Sequence, residues 1–118
     1  GGFLYNANEL ATAVQHGINA VAVVFNDGAY GNVARDLDES WGGAYGAELR
    51  NPDFVKLAEA YGHIGIRVEK PADVEPALRD AFVKHKNDLV FLDFQTDQTA
   101  NVFPMVAAGK GLSEMILI

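Results

Sequence analysis

Residues 20–31 read AVAVVFNDGAYG, and the change of character within this stretch decides the fold. Ala20, Val21, Ala22, Val23, Val24 and Phe25 are apolar without alternation, the pattern of a central parallel strand covered on both faces by helices. Asn26, Asp27 and Gly28 stop that strand at its carboxyl end, and open α/β sheets gather their ligands in the crevice beyond such ends. Asp27 offers a carboxylate to a hard cation, while Gly28 and Gly31 let the backbone bend close to a bound group. Together these features suggest a magnesium-bridged phosphate ligand. Asn, Asp and Gly are also ordinary turn formers, so a plain strand-to-helix connection is the alternative.

Outward from this stretch the chain alternates helix and strand patterns, as a parallel sheet requires. Asn6 and Glu9 stand at capping-box spacing, Leu10, Ala13 and Val14 then share one helical face, and Gly17 supplies a stop. Tyr30 to Leu37 is expected to begin a short helix whose positive end faces an anion. SWGGAYG at residues 40–46 is expected to be irregular, with Trp41 and Tyr45 either covering a substrate channel or packing on a partner domain. Asn51 and Pro52 read as a cap and first-turn proline, and Phe54, Leu57, Ala58 and Tyr61 follow helical spacing up to Gly62.

Ile64, Ile66 and Val68 alternate with Gly65 and Arg67 as in a strand. Lys70 and Pro71 open a helix expected to bury Val74, Leu78, Ala81 and Phe82, with Pro76 bending it near its second turn. Leu89, Val90, Phe91 and Leu92 form a third strand ahead of a polar stretch at 95–101. No internal repeat or linker divides the chain, so residues 1–118 are read as one α/β domain, a parallel sheet flanked by helices.

Composition narrows the function. A formal charge of −7 disfavours nucleic acid and anionic membrane as partners, since both reward clustered Lys and Arg. Lys84, His85 and Lys86 form the one basic cluster and read as a solvated helix end. With no Cys there is no disulfide, thiol nucleophile or thiolate metal site. No apolar run approaches the roughly 20 residues that span a bilayer, no leader pattern is present, and the chain does not begin with Met, so a cytoplasmic fragment is expected. His16, His63 and His85 lack metal-ligand spacing, Ser40 and Ser113 lack a nucleophile elbow, and Asp36, Asp38 and Glu39 read as a solvated loop. GxGxxG is absent.

The opening GGFLYNANELATAVQHG, followed after a helix and a strand by Asn26-Asp27, resembles the thiamine diphosphate-binding motif of thiamine-dependent decarboxylases and carboligases. In that family a Gly-Asp-Gly turn precedes an Asn-containing turn by one helix and one strand. Gly1 and Gly2 resemble the last glycine of the first turn and its neighbour, which places the family's metal-binding Asp before Gly1. The resemblance extends through NPDFVKLAEAYGHIGIRVEKPADVEPALRDAF and NVFPMVAAGKGLSEMI, which look most like the carboxyl-terminal portion of acetolactate synthase large subunits. Residues 35–50 match loosely.

The resemblance implies that the Asp27 side chain and the Ala29 carbonyl hold Mg2+, and that the amides of Gly1, Gly2, Gly31 and Asn32 face the diphosphate. It implies a full-length enzyme that decarboxylates a 2-oxo acid and protonates the product or transfers it to an acceptor carbonyl. Such enzymes are homo-oligomers in which a glutamate on a separate pyrimidine-binding domain, usually of another subunit, activates the cofactor. No catalytic acid or base is therefore expected in this chain, which alone should be inactive. Asp27 departs from the family's usual Asn, adding a charge that favours a cation and repels the diphosphate. Asn32 and Asp36 stand where acetolactate synthases usually carry Met and Trp near the substrate channel. A rival reading is a non-catalytic α/β module that binds a partner through the apolar tail Met115, Ile116, Leu117 and Ile118.

Overall fold

The computed structural model describes residues 1–100, 103–107 and 109–117. Asn101 of the expected polar stretch and Ile118 of the apolar tail lie outside the described residues. The elements run β1 (Val21–Asn26), β2 (Ile64–Val68) and β3 (Val90–Gln95), with helices α1 (Glu9–Gln15), α2 (Gly31–Trp41), α3 (Phe54–Ala60) and α4 (Pro71–Arg79) between and around them. The sheet is parallel throughout, in the order β1-β3-β2. All three carboxyl ends therefore point the same way, and the turns after β1 and β3 become neighbours.

Side-chain alternation along β3 divides the core into two layers. Val90 and Leu92 pack with Val68, Ala77 and Ala81 on the α4 side, while Phe91 packs with Phe54 and Ala58 on the α3 side. Phe3, from the short 3-10 turn Gly2–Asn6, meets the rings of Phe54 and Phe91 edge-on, with centroids 5.8 and 4.8 Å away. Burying side chains of this size contributes roughly 1.5–3 kcal/mol each, which makes β3 the spine of the domain.

β2 obeys the same period. Ile64, Ile66 and Val68 join the α4 layer, and Gly65 and Arg67 face α3. A β-carbon at Gly65 would lie 2.8 Å from the Val55 backbone, so only glycine lets α3 approach this closely.

The uniformly apolar strand β1 sits at the sheet edge and β3 occupies the centre. Val23 and Phe25 are 42 % and 73 % exposed, because the core layer under α4 reaches β1 only at Val21. The residue before α1 is Asn8, whose side chain makes no cap hydrogen bond, and Asn6 belongs to the preceding 3-10 turn, so the capping box does not form. The cap of α3 is Asp53, whose carboxylate accepts from the amides of Val55 and Lys56, in place of Asn51.

Ser40 and Trp41 extend α2 beyond the expected short helix, and Gly42 ends it in the left-handed conformation, φ 72°. Trp41 and Tyr45 both face solvent. α4 opens at Lys70-Pro71 as expected, yet it passes into a π-helical turn, Asp80–Lys84. That wider turn carries Phe82 out of the core to 62 % exposure. In the tail, Met105 and Ile116 pair through two backbone hydrogen bonds of 2.9 and 2.8 Å. Among the described residues no helix is long and apolar enough to cross a membrane.

Candidate functional site

At the carboxyl end of β1 the chain turns sharply into α2. Gly28 has φ 69°, and its amide donates to Asn26 Oδ1 at 3.3 Å. The next amide, of Ala29, donates to Asp27 Oδ1 at 3.1 Å. Two further bonds tie this turn to the segment after α2: Leu49 N to the Gly28 carbonyl at 2.7 Å and Tyr30 N to the Ala47 carbonyl at 2.8 Å. The loosely matching middle of the chain thus supplies the wall that fixes the turn. Among the described residues no backbone amide donates to the Ala29 carbonyl, which leaves that oxygen available.

Asp27 Oδ2 lies over the first residue of α2, where a β-carbon on Gly31 would approach it to 2.7 Å. The first amides of a helix have no intrahelical partners and favour negative charge. Carboxylate, carbonyl and helix amides therefore meet in one place. Asp27 and the first residues of α2 border an open cleft of about 620 Å³ between α2 and the loop after β3, lined by Asp27, Gly31, Asn32, Arg35, Asp97 and Thr99 among others.

The cleft lining includes four carboxylates, Asp27, Asp38, Glu39 and Asp97, against the single cation Arg35. Arg35 is itself paired with Asp36 at 3.2 Å. The amide and hydroxyl of Thr99 both donate to Asp97 at 2.8 Å, holding its carboxyl below the ordinary value of 3.8. A cleft so charged repels a bare polyanion and accepts one that arrives with a hard cation.

Of the residues expected at the site, Asp27, Gly31 and Asn32 line the cleft, whereas Ala29 is buried and does not line it. Gly1 lies against the Tyr30 ring, where a β-carbon would meet Cε1 at 2.6 Å, and Gly2 opens the 3-10 turn. Neither borders the cleft. Asp38 and Glu39, expected in a solvated loop, are on α2 and face the cleft. His63 donates from Nε2 to the Leu10 carbonyl at 2.7 Å, a bond that joins two elements of the core. Among the described residues no group of three or more His, Cys, Asp and Glu could hold a metal.

One part of the arrangement has no counterpart in the sequence reading. Asp93, 1 % exposed in the middle of β3, accepts from Asn26 Nδ2 at 3.1 Å and from Arg67 Nε at 3.4 Å. Arg67 also donates to Asp53 at 2.6 Å, and Asn51 Nδ2 donates to Asn26 Oδ1 at 2.8 Å. The available signal was a carboxylate set among apolar residues in VFLDF.

Residues 1–94 match the family model described as thiamine pyrophosphate enzyme, C-terminal TPP binding domain. The chain belongs to this family. Among its curated relatives in the thiamine pyrophosphate enzyme family is the acetolactate synthase large subunit of Haemophilus influenzae, 40 % identical over 99 % of this chain and 21 % of that protein. The acetolactate synthase isozyme 3 large subunit of Escherichia coli is 37 % identical over 99 % of this chain and 21 % of its own length. A solved structure, the thiamine diphosphate-dependent 4-hydroxybenzoylformate decarboxylase of Rhodococcus jostii, superposes with a TM-score of 0.71 at 27 % identity, over 80 % of this chain and 18 % of that one. The chain thus spans about a fifth of the length of these relatives.

Proposed function

We propose that this chain anchors the diphosphate end of thiamine diphosphate through Mg2+ in an acetolactate synthase-like 2-oxo acid decarboxylase or carboligase. The Asp27 carboxylate and the Ala29 carbonyl are the metal ligands, and the amides of Gly31 and Asn32 face the diphosphate from the cleft, joined by those of Gly1 and Gly2 from outside its lining, Gly1 beside Tyr30. Both metal ligands are oxygens, as Mg2+ prefers, and Mg2+ is often held by one or two protein oxygens together with the phosphates themselves. The observation that carries this reading is the Asp27 carboxylate lying over Gly31 at the start of α2, beside a carbonyl without an amide partner.

Bound thiamine diphosphate supplies the electron sink for decarboxylation, and the protein supplies position and electrostatics. In this chain the division of labour is narrow: Gly1, Gly2 and residues 26–32 fix metal and diphosphate, and no side chain is assigned a proton. The activating glutamate belongs to a pyrimidine-binding domain, in a cytoplasmic homo-oligomer. Residues 1–118 are accordingly read as a single-domain, carboxyl-terminal fragment of the thiamine diphosphate-binding domain.

Thermal unfolding of the full-length protein tests the pairing of metal and cofactor. Mg2+ and thiamine diphosphate together should raise the midpoint well beyond the sum of their separate effects, because each completes the other's site. A chain that serves only as a partner-binding module would respond to neither.

A further inference from the structure

Asp93 is the one carboxylate buried within the sheet among the described residues, preceded by the core residues Phe91 and Leu92 and followed by the partly buried Phe94. Such a group is costly to bury unless fully partnered, and an apolar residue of similar size is often no worse for stability. What a carboxylate does that a Leu or Asn cannot is accept hydrogen bonds without donating any. Its Oδ1 therefore demands a donor from Asn26, and Asn26 must present Nδ2. That choice sends Asn26 Oδ1 the other way, onto the Gly28 amide at 3.3 Å and Asn51 Nδ2 at 2.8 Å. The Asn26 backbone carbonyl is also engaged, by Thr96 N at 3.1 Å.

We propose that Asp93 is a positioning residue for the metal turn: its buried carboxylate sets the orientation of the Asn26 carboxamide, and Asn26 in that orientation holds the turn that presents Asp27. This rests on the reading of Asp27 as a Mg2+ ligand. Arg67, held between Asp93 and the α3 cap Asp53, fixes the far side of the carboxylate. The carboxylate thereby joins β1, β2, β3 and the start of α3 to the turn.

Asn at position 93 keeps the volume but removes the acceptor-only character. A 93 carboxamide can present its own NH2, Asn26 then turns its Oδ1 inward, and its Nδ2 faces the Gly28 N–H, donor against donor. The turn bond is lost while the strand remains. Partners that orient metal ligands in this way typically carry about 10- to 100-fold in metal affinity.

The test uses the full-length protein with thiamine diphosphate fixed and Mg2+ titrated, read by calorimetry and by hydrogen exchange of the peptide covering residues 26–31. Asp93→Asn should weaken Mg2+ about tenfold or more and speed exchange at Gly28 even without metal. Adding Asp27→Ala should abolish the difference in Mg2+ affinity that Asp93→Asn makes. Asn26→Ala, at a partly exposed strand end, should reproduce the loss and decides the matter if Asp93→Asn fails to fold. Folded Asp93→Asn or Asn26→Ala protein that binds Mg2+ as wild type, with unchanged exchange, overturns the inference. If Asp27→Ala weakens Mg2+ and these two do not, the metal site stands and the positioning role alone falls; if Asp27→Ala has no effect, the site reading itself fails.

Discussion

Gly31 lies directly beneath the carboxylate of Asp27, with room for a hydrogen but not for a methyl group: a β-carbon there would come within 2.7 Å of Oδ2. The crowded atom is the end of a short, rotatable side chain, so the fold can yield cheaply by turning the carboxylate aside. Ala is also the better helix former, by up to about 1 kcal/mol in a helix interior. Gly31→Ala should therefore leave thermal stability equal or slightly raised while weakening Mg2+ and thiamine diphosphate together. Unchanged affinity in a stable variant would mean that the carboxylate position is unimportant for binding.

Gly65→Ala should behave in the opposite way. The new methyl group would meet the backbone of Val55 at 2.8 Å, and backbone cannot swing aside. α3 must move off β2, at a cost of about 1–3 kcal/mol for an overpacked site. Chemical denaturation measures this directly, and a loss under about 0.5 kcal/mol would show that α3 slides freely.

Asp53 should make the domain sensitive to acid. The Lys56 amide is the largest influence holding its carboxyl below 3.8, opposed in part by desolvation and reinforced by the Arg67 guanidinium. A carboxyl with a depressed folded value stabilises most above its unfolded value, and that stabilisation is lost as pH falls through the folded value. Unfolding midpoints should thus fall more steeply below about pH 4 in wild type than in Asp53→Ala. At neutral pH the same substitution removes the α3 cap and should lower the unfolding midpoint. Parallel pH profiles of the two proteins would contradict the role given to Asp53.

Residues 1–118 expressed alone should turn over no 2-oxo acid at saturating Mg2+ and thiamine diphosphate. The proposal places metal and diphosphate contacts here and the activating glutamate elsewhere. Pyruvate consumption by rigorously purified chain would refute that division.

The sheet and its helices were legible because period-2 and period-3.6 patterns are local: Ile64, Ile66 and Val68 share one face and Phe54 and Ala58 another. The place of β1 was not legible. VAVVF shows that both faces of the strand are apolar, and strand order depends on pairing partners far along the chain. Asn51 and Asp53 are equally competent caps in sequence, and only Asp53 meets the free amides of α3. Phe82 fits an α-helical face that the π turn then rotates outward. Of the residues that line the cleft, Asp27 and Gly31 stand out in the turn itself and Asn32 only through the family resemblance, whereas Asn26 and Asp93 meet across 67 positions of sequence. No local pattern records such a contact.

The central claim, that Asp27 joins this chain to the cofactor through a metal ion, is tested most directly by calorimetric titration of Mg2+ into full-length wild type, Asp27→Asn and Asp27→Ala, each with thiamine diphosphate present. Asp27→Ala removes the side-chain oxygen and should weaken Mg2+ at least tenfold, taking cofactor affinity with it. Asp27→Asn keeps an amide oxygen for the ion and should stay far closer to wild type. Equal Mg2+ affinity in all three proteins would remove Asp27 from the metal site and contradict the account.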